Sequence, residues 1–270
     1  MPSVRRTRLV GRLLWGLYLG ALVAGLWLIF FLLFAHSFFE GVTLEFPPRG
    51  LTLENYFQIS SAFFPALRVS LVLGLCAGLL NVLLAIPAAY VLSRFEFPGK
   101  DFINTVLVAP NMVPAVSLAL GLLALYSRLG AIDTFWGLVS ALGIITMPYM
   151  LRPVLAAFNE MDPALEEAAR TLGAGRWRVF LSVTLPLIGP GVLAGLLLSF
   201  IIGFNEFTVI IFLYGPKNLP ASVWLWNMLF MYGITPQFAA AVAIMQLVSF
   251  AVLFVLVGVI GRRYLQGVVF

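Results

Sequence analysis

The chain has 270 residues, of which 62% are hydrophobic and 10% are charged, and its formal net charge is +5. Soluble domains carry about 25% charged residues, and a soluble domain of this size still exposes about a quarter of its chain surface to water. The composition therefore excludes an ordinary soluble fold and predicts a single membrane domain over residues 1–270.

Six apolar stretches are long enough to cross a bilayer, because about 20 apolar residues span about 30 Å as a helix. The first stretch follows four arginines, as in a signal peptide, but it exceeds an apolar signal core of about 7–15 residues and no small-x-small cleavage site follows it. We therefore predict an all-α membrane protein whose first span is not cleaved. In chain order the six predicted spans cover about 13–35, 69–92, 102–126, 136–157, 187–213 and 237–260.

The basic residues predict the orientation of these spans. If the N-terminus is cytoplasmic, twelve of the 16 Lys and Arg residues lie inside, and only Arg49, Arg68, Arg128 and Lys217 lie outside. Cytoplasmic loops of membrane proteins carry an excess of Lys and Arg. Both termini are thus predicted to be cytoplasmic, and the positive charge does not call for a nucleic-acid partner.

Proline and glycine residues inside the spans predict bends and close contacts. A proline removes a helix hydrogen bond, which membrane bundles tolerate when neighbouring groups satisfy the freed carbonyl. Glycines four residues apart allow two helices to pack closely. The prolines are Pro87, Pro110, Pro114 and Pro148, and the glycine pairs are Gly16/Gly20, Gly74/Gly78 and Gly191/Gly195.

The segment 158–186, between the fourth and fifth spans, predicts a short helix over about 163–172. Asp162 is a favourable N-cap, Pro163 suits the first helical position, and Gly173 and Gly175 provide the stop. The following residues from Arg176 predict a second, interfacial helix that runs to the start of the fifth span.

The short helix is amphipathic, with Leu165, Ala168, Ala169 and Leu172 on one face and Glu166, Glu167 and Arg170 on the other. A helix of about ten residues is marginal in water by itself. Its apolar face therefore needs a partner. That partner is either the bundle of the same chain or another subunit, and the residues alone leave both alternatives open.

The triplet Glu167-Ala168-Ala169, followed by Gly173 and by Val183-x-Leu185-Pro186, resembles the EAA motif of permeases from binding-protein-dependent ABC importers. The resemblance implies the type I fold of that family, with a cytoplasmic coupling helix between spans four and five that docks on an ATPase subunit. The ATPase-docking residues it implies are Glu166, Glu167, Ala168, Ala169, Leu172 and Gly173.

Leu51–Tyr56 and Ala89–Lys100 resemble the family's segment ahead of span two and its first inner loop. The segments Gly203–Phe207, Leu213–Pro216 and Leu219–Pro220 resemble the spermidine/putrescine-like branch of the same family, which commonly has Asp at the position of Asn205. This resemblance implies transport of a small solute, such as a polyamine or another cationic or small organic solute, across the bacterial inner membrane. The implied partners are an ABC ATPase dimer that holds ATP and Mg²⁺, a second similar but non-identical permease, an extracytoplasmic substrate-binding protein and membrane lipid.

The chain carries no sequence signature of enzymatic chemistry. It lacks the G-x-x-x-x-G-K-[ST] loop that cradles ATP phosphates, the H-E-x-x-H zinc motif and a nucleophile elbow. One cysteine, Cys76, and one histidine, His36, give no basis for a metal site. We therefore predict no catalytic residue, no metal and no cofactor in this chain, and expect ATP hydrolysis on a separate subunit.

The candidate substrate path rests on polar residues within apolar spans, where a charge costs at least about 2.5 kcal/mol and usually faces a cavity or a partner. Glu206 in the fifth span is the one such acid, and its alternative role is a structural hydrogen bond or ion pair. Trp224 and Trp226 lie in a stretch, Ala221–Tyr232, that predicts a short helix at the outer interface, where an aromatic anchor is the alternative. The proposed path residues are Asn111, Asn205, Glu206, Trp224 and Trp226.

A second functional class remains open from the residues, namely an ion-coupled carrier or channel that works without ATP. Such carriers are typically built from internal repeats with broken helices and coupling-ion residues. The chain shows no clear inverted repeat and one buried acid, which favours the importer permease.

Overall fold

The computed structural model describes residues 2–41 and 50–265, so Arg49 of the charge count lies outside the described residues. Over these ranges the chain forms twelve α-helices and one isolated antiparallel bridge, between Phe39 and Leu51. The helices are α1 Pro2–His36, α2 Glu54–Phe57, α3 Phe63–Arg94, α4 Lys100–Val108, α5 Ala115–Leu129, α6 Phe135–Glu160, α7 Ala164–Thr171, α8 Arg176–Val179, α9 Leu185–Asn205, α10 Ile210–Leu213, α11 Ala221–Tyr232 and α12 Pro236–Leu265.

Four helical segments of the described chain are long and apolar enough to cross a membrane: α3, α6, the continuous stretch Arg176–Asn205, and Pro236–Val255 within α12. Two bent pairs raise the number to six if each pair is one span. They are Trp15–Gly25 with Phe30–His36, bent by 40°, and Lys100–Asn111 with Ala115–Leu129, bent by 102°. Every predicted span thus corresponds to one of these segments.

The third predicted span, 102–126, is not a single straight helix. Helix α4 ends at Val108, a 3₁₀ turn covers Ala109–Asn111, and α5 begins only after Pro114, whose ψ is 131°. Prolines 110 and 114 lack the N–H groups that would continue the helical ladder, and a proline also disfavours helical geometry in the residue before it. The sharp bend follows from these two residues.

The chain folds as two compact units, of which the smaller comprises residues 1–60 and 227–247. In this unit the Asn55 side-chain amide donates hydrogen bonds to the carbonyl oxygens of Ser37, at 2.9 Å, and Phe39, at 3.0 Å. The Gln237 side chain in turn donates to Gln58 Oε1 at 3.0 Å. These bonds fold the described part of the segment between the first two spans around one buried asparagine.

The larger unit comprises residues 61–226 and 248–270, and its core is formed by α3, α6 and α9, which pack against one another. Glycines permit this packing. A Cβ atom at Gly191 would lie 2.5 Å from the carbonyl oxygen of Pro153, and one at Gly195 would lie 2.9 Å from that of Met150. Gly74 faces the backbone of Phe204 in the same way. The close contacts predicted for these pairs are confirmed, whereas no other group of the described chain approaches within 4 Å of the Cβ positions of Gly16 and Gly20.

Asn81 joins the three core helices by hydrogen bonds in the middle of the apolar core. Its Nδ2 carries two hydrogens and has three acceptors within hydrogen-bond distance, Gly143 O at 3.1 Å, Thr146 Oγ1 at 2.8 Å and Ser199 Oγ at 3.3 Å. The side chains of Asn81, Thr146 and Ser199 are buried. Hydrogen bonds between membrane helices average about 0.6 kcal/mol each and reach about 1.7 kcal/mol. This cluster therefore adds a small stabilisation to the packing of α3, α6 and α9, and it also favours one relative orientation of the three helices.

We expect Asn81→Ala to lower the free energy of unfolding by about 1–2 kcal/mol, because the interhelical hydrogen bonds of its amide to α6 and α9 are lost. Thermal unfolding of the purified protein in detergent measures this change. Asn111→Ala, at an exposed position, is the matched control and should unfold at the temperature of the unaltered chain. Equal unfolding temperatures for the two variants would contradict the structural role of Asn81.

Candidate functional site

Helix α7 confirms the short helix predicted between the fourth and fifth spans and is held at both ends. At its start, Asp162 Oδ1 accepts a hydrogen bond from Ala164 N–H at 2.9 Å. At its end, the Ala174 N–H donates to Ala169 O at 3.1 Å and the Gly173 N–H donates to Arg170 O at 2.9 Å. This double closure requires a left-handed residue, and Gly173 supplies it with φ +88°.

The apolar face of α7 is largely exposed. Leu172 is 89% and Leu165 48% exposed, Ala168 is also exposed, and Ala169 is half-buried. Glu167 is exposed beside them. A short, firmly capped helix that presents leucines and alanines outward offers a surface onto which another backbone can pack closely. Of the two alternatives left by the sequence, the geometry favours a partner outside this chain.

Glu166 does not belong to that surface, which corrects its prediction as a docking residue. Its side chain is buried, and Oε1 accepts a hydrogen bond from Thr184 Oγ1 at 2.5 Å. The other carboxylate oxygen lies 3.8 Å from the guanidinium of Arg170. Glu166 therefore faces the start of the fifth span, and it is the residue of this eight-residue helix whose side chain points inward.

The second helix of the segment begins at Arg176 and runs to the start of the fifth span, as predicted, and it is continuous with that span. Helix α8 passes through a π-helical turn, Phe180–Thr184, directly into α9, so that Arg176–Asn205 is one continuous helix of 30 residues. The Leu185 N–H donates to Phe180 O, which closes the π turn. The buried contact of Thr184 with Glu166 was not predicted from helical periodicity, since α-helical spacing gives no warning of a π turn.

A cleft of about 630 Å³ lies beside α7. It is lined by the end of α6, by the connection to α7 and by the start of α9, including Ala157, Leu165, Leu187 and Gly191. Two acidic residues, Glu160 and Asp162, also line it. The surface around α7 is therefore concave on one side and mainly apolar.

At the far end of α9, Glu206 lies at a helix break rather than within a helix, and the predicted span 187–213 is interrupted here. Helix α9 ends at Asn205, and Glu206 has extended geometry with ψ 127°. Its Oε1 accepts from Val209 N–H at 2.9 Å, and its backbone oxygen accepts from Ser222 Oγ at 2.8 Å. The half-buried carboxylate thus caps the turn before α10, and the backbone links α9 to the start of α11.

The other predicted path residues divide into two groups. Asn205 is exposed next to Glu206, and its Nδ2 donates to Ile201 O at 2.9 Å and to Ser249 Oγ at 3.3 Å. Trp226 lies near them, with its ring 4.9 Å from that of Phe207 and 37% of the residue exposed. Asn111 lies elsewhere, exposed in the bend between α4 and α5.

Trp224 is a core residue, which corrects its prediction as a path residue. Only 6% of it is exposed, and its ring packs 5.1 Å from that of Phe63. The helix that carries both tryptophans, α11, begins and ends where the sequence predicted it, at Ala221 and Tyr232. Residues two positions apart on an α-helix point about 200° apart, so one tryptophan of the pair is buried and the other is not.

Residues 81–266 match the family of binding-protein-dependent transport system inner membrane components. The chain belongs to this family. The permease is 31% identical to the molybdate/tungstate transport system permease protein WtpB of Thermococcus kodakarensis over 199 residues, which cover 73% of this chain and 79% of that protein. It is 39% identical to the molybdenum transport system permease protein ModB of Escherichia coli over 155 residues, covering 53% and 68% of the two chains.

A longer match joins the permease to the spermidine/putrescine transport system permease protein PotC of Escherichia coli, with 27% identity over 243 residues, 89% of this chain and 91% of that protein. Among solved structures, a bacterial ABC transporter that imports the acidic polysaccharide alginate matches with a TM-score of 0.68 at 17% identity, over 94% of this chain and 96% of that chain. The predicted family and its all-α permease fold are therefore confirmed.

We expect Glu206→Ala to destabilise the permease by about 1 kcal/mol, because the Val209 N–H loses its hydrogen-bond acceptor. Glu206→Gln keeps a side-chain carbonyl at the same reach and should unfold within a few tenths of a kcal/mol of the unaltered chain. Thermal unfolding in detergent compares the two variants. If the two variants are equally destabilised, the negative charge of Glu206, and not its hydrogen bond from the Val209 N–H, stabilises this turn.

Proposed function

We propose that this chain is the permease subunit of an ATP-driven ABC importer and forms the translocation path for a small solute across the bacterial inner membrane. The observation that carries the proposal is the outward apolar face of α7, a capped helix placed between two membrane-spanning helices of a chain that belongs to the importer family. The relatives named above are themselves permease proteins of transport systems for molybdate and tungstate, molybdenum, and spermidine and putrescine.

In this proposal α7 is the coupling helix and docks on one subunit of an ATPase dimer, which binds ATP and Mg²⁺ and hydrolyses the nucleotide. Both termini and α7 lie in the cytoplasm, as the distribution of Lys and Arg favours. A second, similar permease completes the path, and an extracytoplasmic binding protein delivers the solute. One structural neighbour supports the last point, since it is an alginate ABC transporter in complex with a pentasaccharide-bound periplasmic protein.

The docking contact of α7 is expected to be dominated by its leucines. Burial of one exposed leucine side chain contributes about 1.5–3 kcal/mol, and Leu172 and Leu165 are both available for it. Ala168, between them, permits a close approach of the partner backbone. Glu167 and Gly173 complete the proposed surface, the first as an exposed charge and the second by holding the end of the helix.

We expect Leu172→Asp or Ala168→Asp to abolish copurification of the ATPase subunit while the chain still inserts into the membrane, because a charge then faces the apolar contact. Affinity purification of the permease from membranes, followed by quantification of the ATPase, measures docking. Ser127→Asp, at an exposed position at the end of α5, is the matched control. An unaltered amount of copurified ATPase with both α7 variants would contradict docking through this face.

Reconstitution into liposomes distinguishes the proposed importer from the alternative, an ATP-independent carrier or channel. Proteoliposomes that contain the assembled complex are tested with radiolabelled molybdate, sulfate and spermidine, with and without MgATP. The proposal requires uptake of at least one solute only with MgATP. Uptake by the isolated permease without nucleotide would support the carrier or channel instead.

For the substrate, we propose a cationic small solute such as a polyamine, with Asn205, Glu206 and Trp226 at one end of the path and Asn111 in the bend of the third span. A carboxylate in an apolar surrounding favours a cation over an anion, and the polyamine permease matches the chain over 89% of its length. An oxyanion is the second candidate, because the molybdate/tungstate permease has the higher percentage identity, 31%, although over a shorter part of the chain, 73%.

We expect Glu206→Gln to lower spermidine uptake about ten-fold, the loss typical of one charge-assisted contact, while the fold is preserved by the remaining carbonyl acceptor. Initial rates of ATP-dependent uptake measure the effect. Glu96→Gln, which removes an exposed carboxylate paired with Lys100, is the matched control. Unchanged spermidine uptake, or uptake of molybdate or sulfate only, would overturn the cationic assignment.

A further inference from the structure

Glu166 is the one residue of α7 that is buried, at 5% exposure. Its carboxylate accepts the hydrogen bond from Thr184 Oγ1 at 2.5 Å, and Thr184 is itself 1% exposed. Burial of a carboxylate is costly unless it is hydrogen-bonded or paired. A leucine or alanine at position 166 would also fill the inner face of α7, and it would not carry the cost of a buried carboxylate. What the glutamate provides in addition is the directional hydrogen bond to Thr184.

The π turn is what brings Thr184 to the position of the acceptor. A π turn closes over five residues rather than four, so residues five apart, Val179 and Thr184, lie on one face, and both are buried. Uninterrupted α-helical geometry would instead turn position 184 by about 140° relative to position 179. Because the π turn merges with α9, a force applied at Thr184 acts on the whole 30-residue helix.

A second attachment holds the chain just before α7. The Arg94 guanidinium, at the end of α3, donates to Met161 O at 3.2 Å in the connection from α6 to α7. The α6–α7 connection is therefore tied to α3, and α7 itself is tied to α9 through Glu166. The exposed residues Leu165, Ala168 and Leu172 take no part in these bonds, so holding and docking use different faces of α7.

We propose that Glu166 and Thr184 form a latch that makes α7 and α9 move as one body, so that displacement of the docked α7 reaches the far end of α9 at Glu206. The latch rests on the proposed function and adds positioning residues to it. Without the latch, α7 still docks through its outward face, but its displacement is absorbed at Gly173 and Gly175 instead of reaching the membrane-spanning helix. The expected defect is loss of coupling, not loss of assembly.

The first test compares Glu166→Ala and Thr184→Val in the reconstituted complex of permeases, ATPase and binding protein. We expect the ATPase to copurify in unaltered amount, while ATP-dependent uptake of spermidine, molybdate or sulfate per ATP hydrolysed falls about ten-fold. Thr184→Ser keeps the hydroxyl donor and should restore coupling. The matched controls are Glu96→Ala, on the surface, and Thr105→Val, whose hydroxyl donates to Asp101 O within its own helix.

A double variant separates the latch from general destabilisation. Glu166→Ala combined with Thr184→Val should lose no more coupling than either single variant, because both changes break the same bond. Additive losses, reduced copurification of the ATPase, or failure of Thr184→Ser to restore coupling would each overturn the latch.

The second test needs only MgATP and vanadate as probes and reports motion directly. Spin labels are attached through Thr171→Cys, on α7, and Leu198→Cys, at an exposed position on α9, in a Cys76→Ser background. We expect the label–label distance to be the same without nucleotide and in the vanadate-trapped complex. Adding Thr184→Val should make the distance change or broaden on trapping.

The outcomes distinguish the latch from the proposed function. If the unaltered complex shows neither ATPase copurification nor nucleotide-dependent uptake, the importer function itself fails. If the unaltered complex is active but its label–label distance changes on trapping, α7 and α9 do not move together, and the latch fails while the importer function stands.

Discussion

The close packing of α6 against α9 is the constraint on which the rest of the larger unit depends. At Gly191 and Gly195 the two backbones approach so closely that a single added Cβ would collide with a carbonyl oxygen. In a bilayer the hydrophobic effect does not drive helices together, so van der Waals contact and interhelical hydrogen bonds must do so. Glycine permits the contact, and Asn81 adds direction by bonding α3 to both neighbours.

This packing determines where the two candidate sites lie. Because α6 and α9 are held side by side, the chain between them must leave and return at the same end of the pair, and α7 occupies that return. The break at Glu206 marks the opposite end of α9. A single helix therefore connects the proposed docking surface with the proposed path, and the π turn at its start is the place where α7 is attached to it.

The proposed importer function and the proposed substrate are inferred from different parts of the molecule. The segment proposed to dock combines a capped helix, a left-handed glycine and a Leu-Pro start to the fifth span, and in the proposed function these features serve the contact with an ATPase. In the proposal the residues near Glu206 contact the solute, and the relatives are named for different solutes, molybdate and tungstate in one case and spermidine and putrescine in the other. A half-buried carboxylate that also caps a turn serves the fold and can serve the path at the same time.

The sequence by itself determined the membrane class, the positions of the spans and the short helix near 163–172, because hydrophobic length, capping residues and glycine stops are local signals. Two prolines even signalled the bend of the third span, although not its angle. Tertiary structure alone decided the roles of individual side chains. Glu166 and Glu167 are adjacent glutamates, yet Glu166 is buried and hydrogen-bonded to Thr184, whereas Glu167 is exposed. Trp224 and Trp226 differ in the same way. Which face a helix buries depends on what packs against it: Glu166 is buried against Thr184 of the π turn, and Trp224 against Phe63.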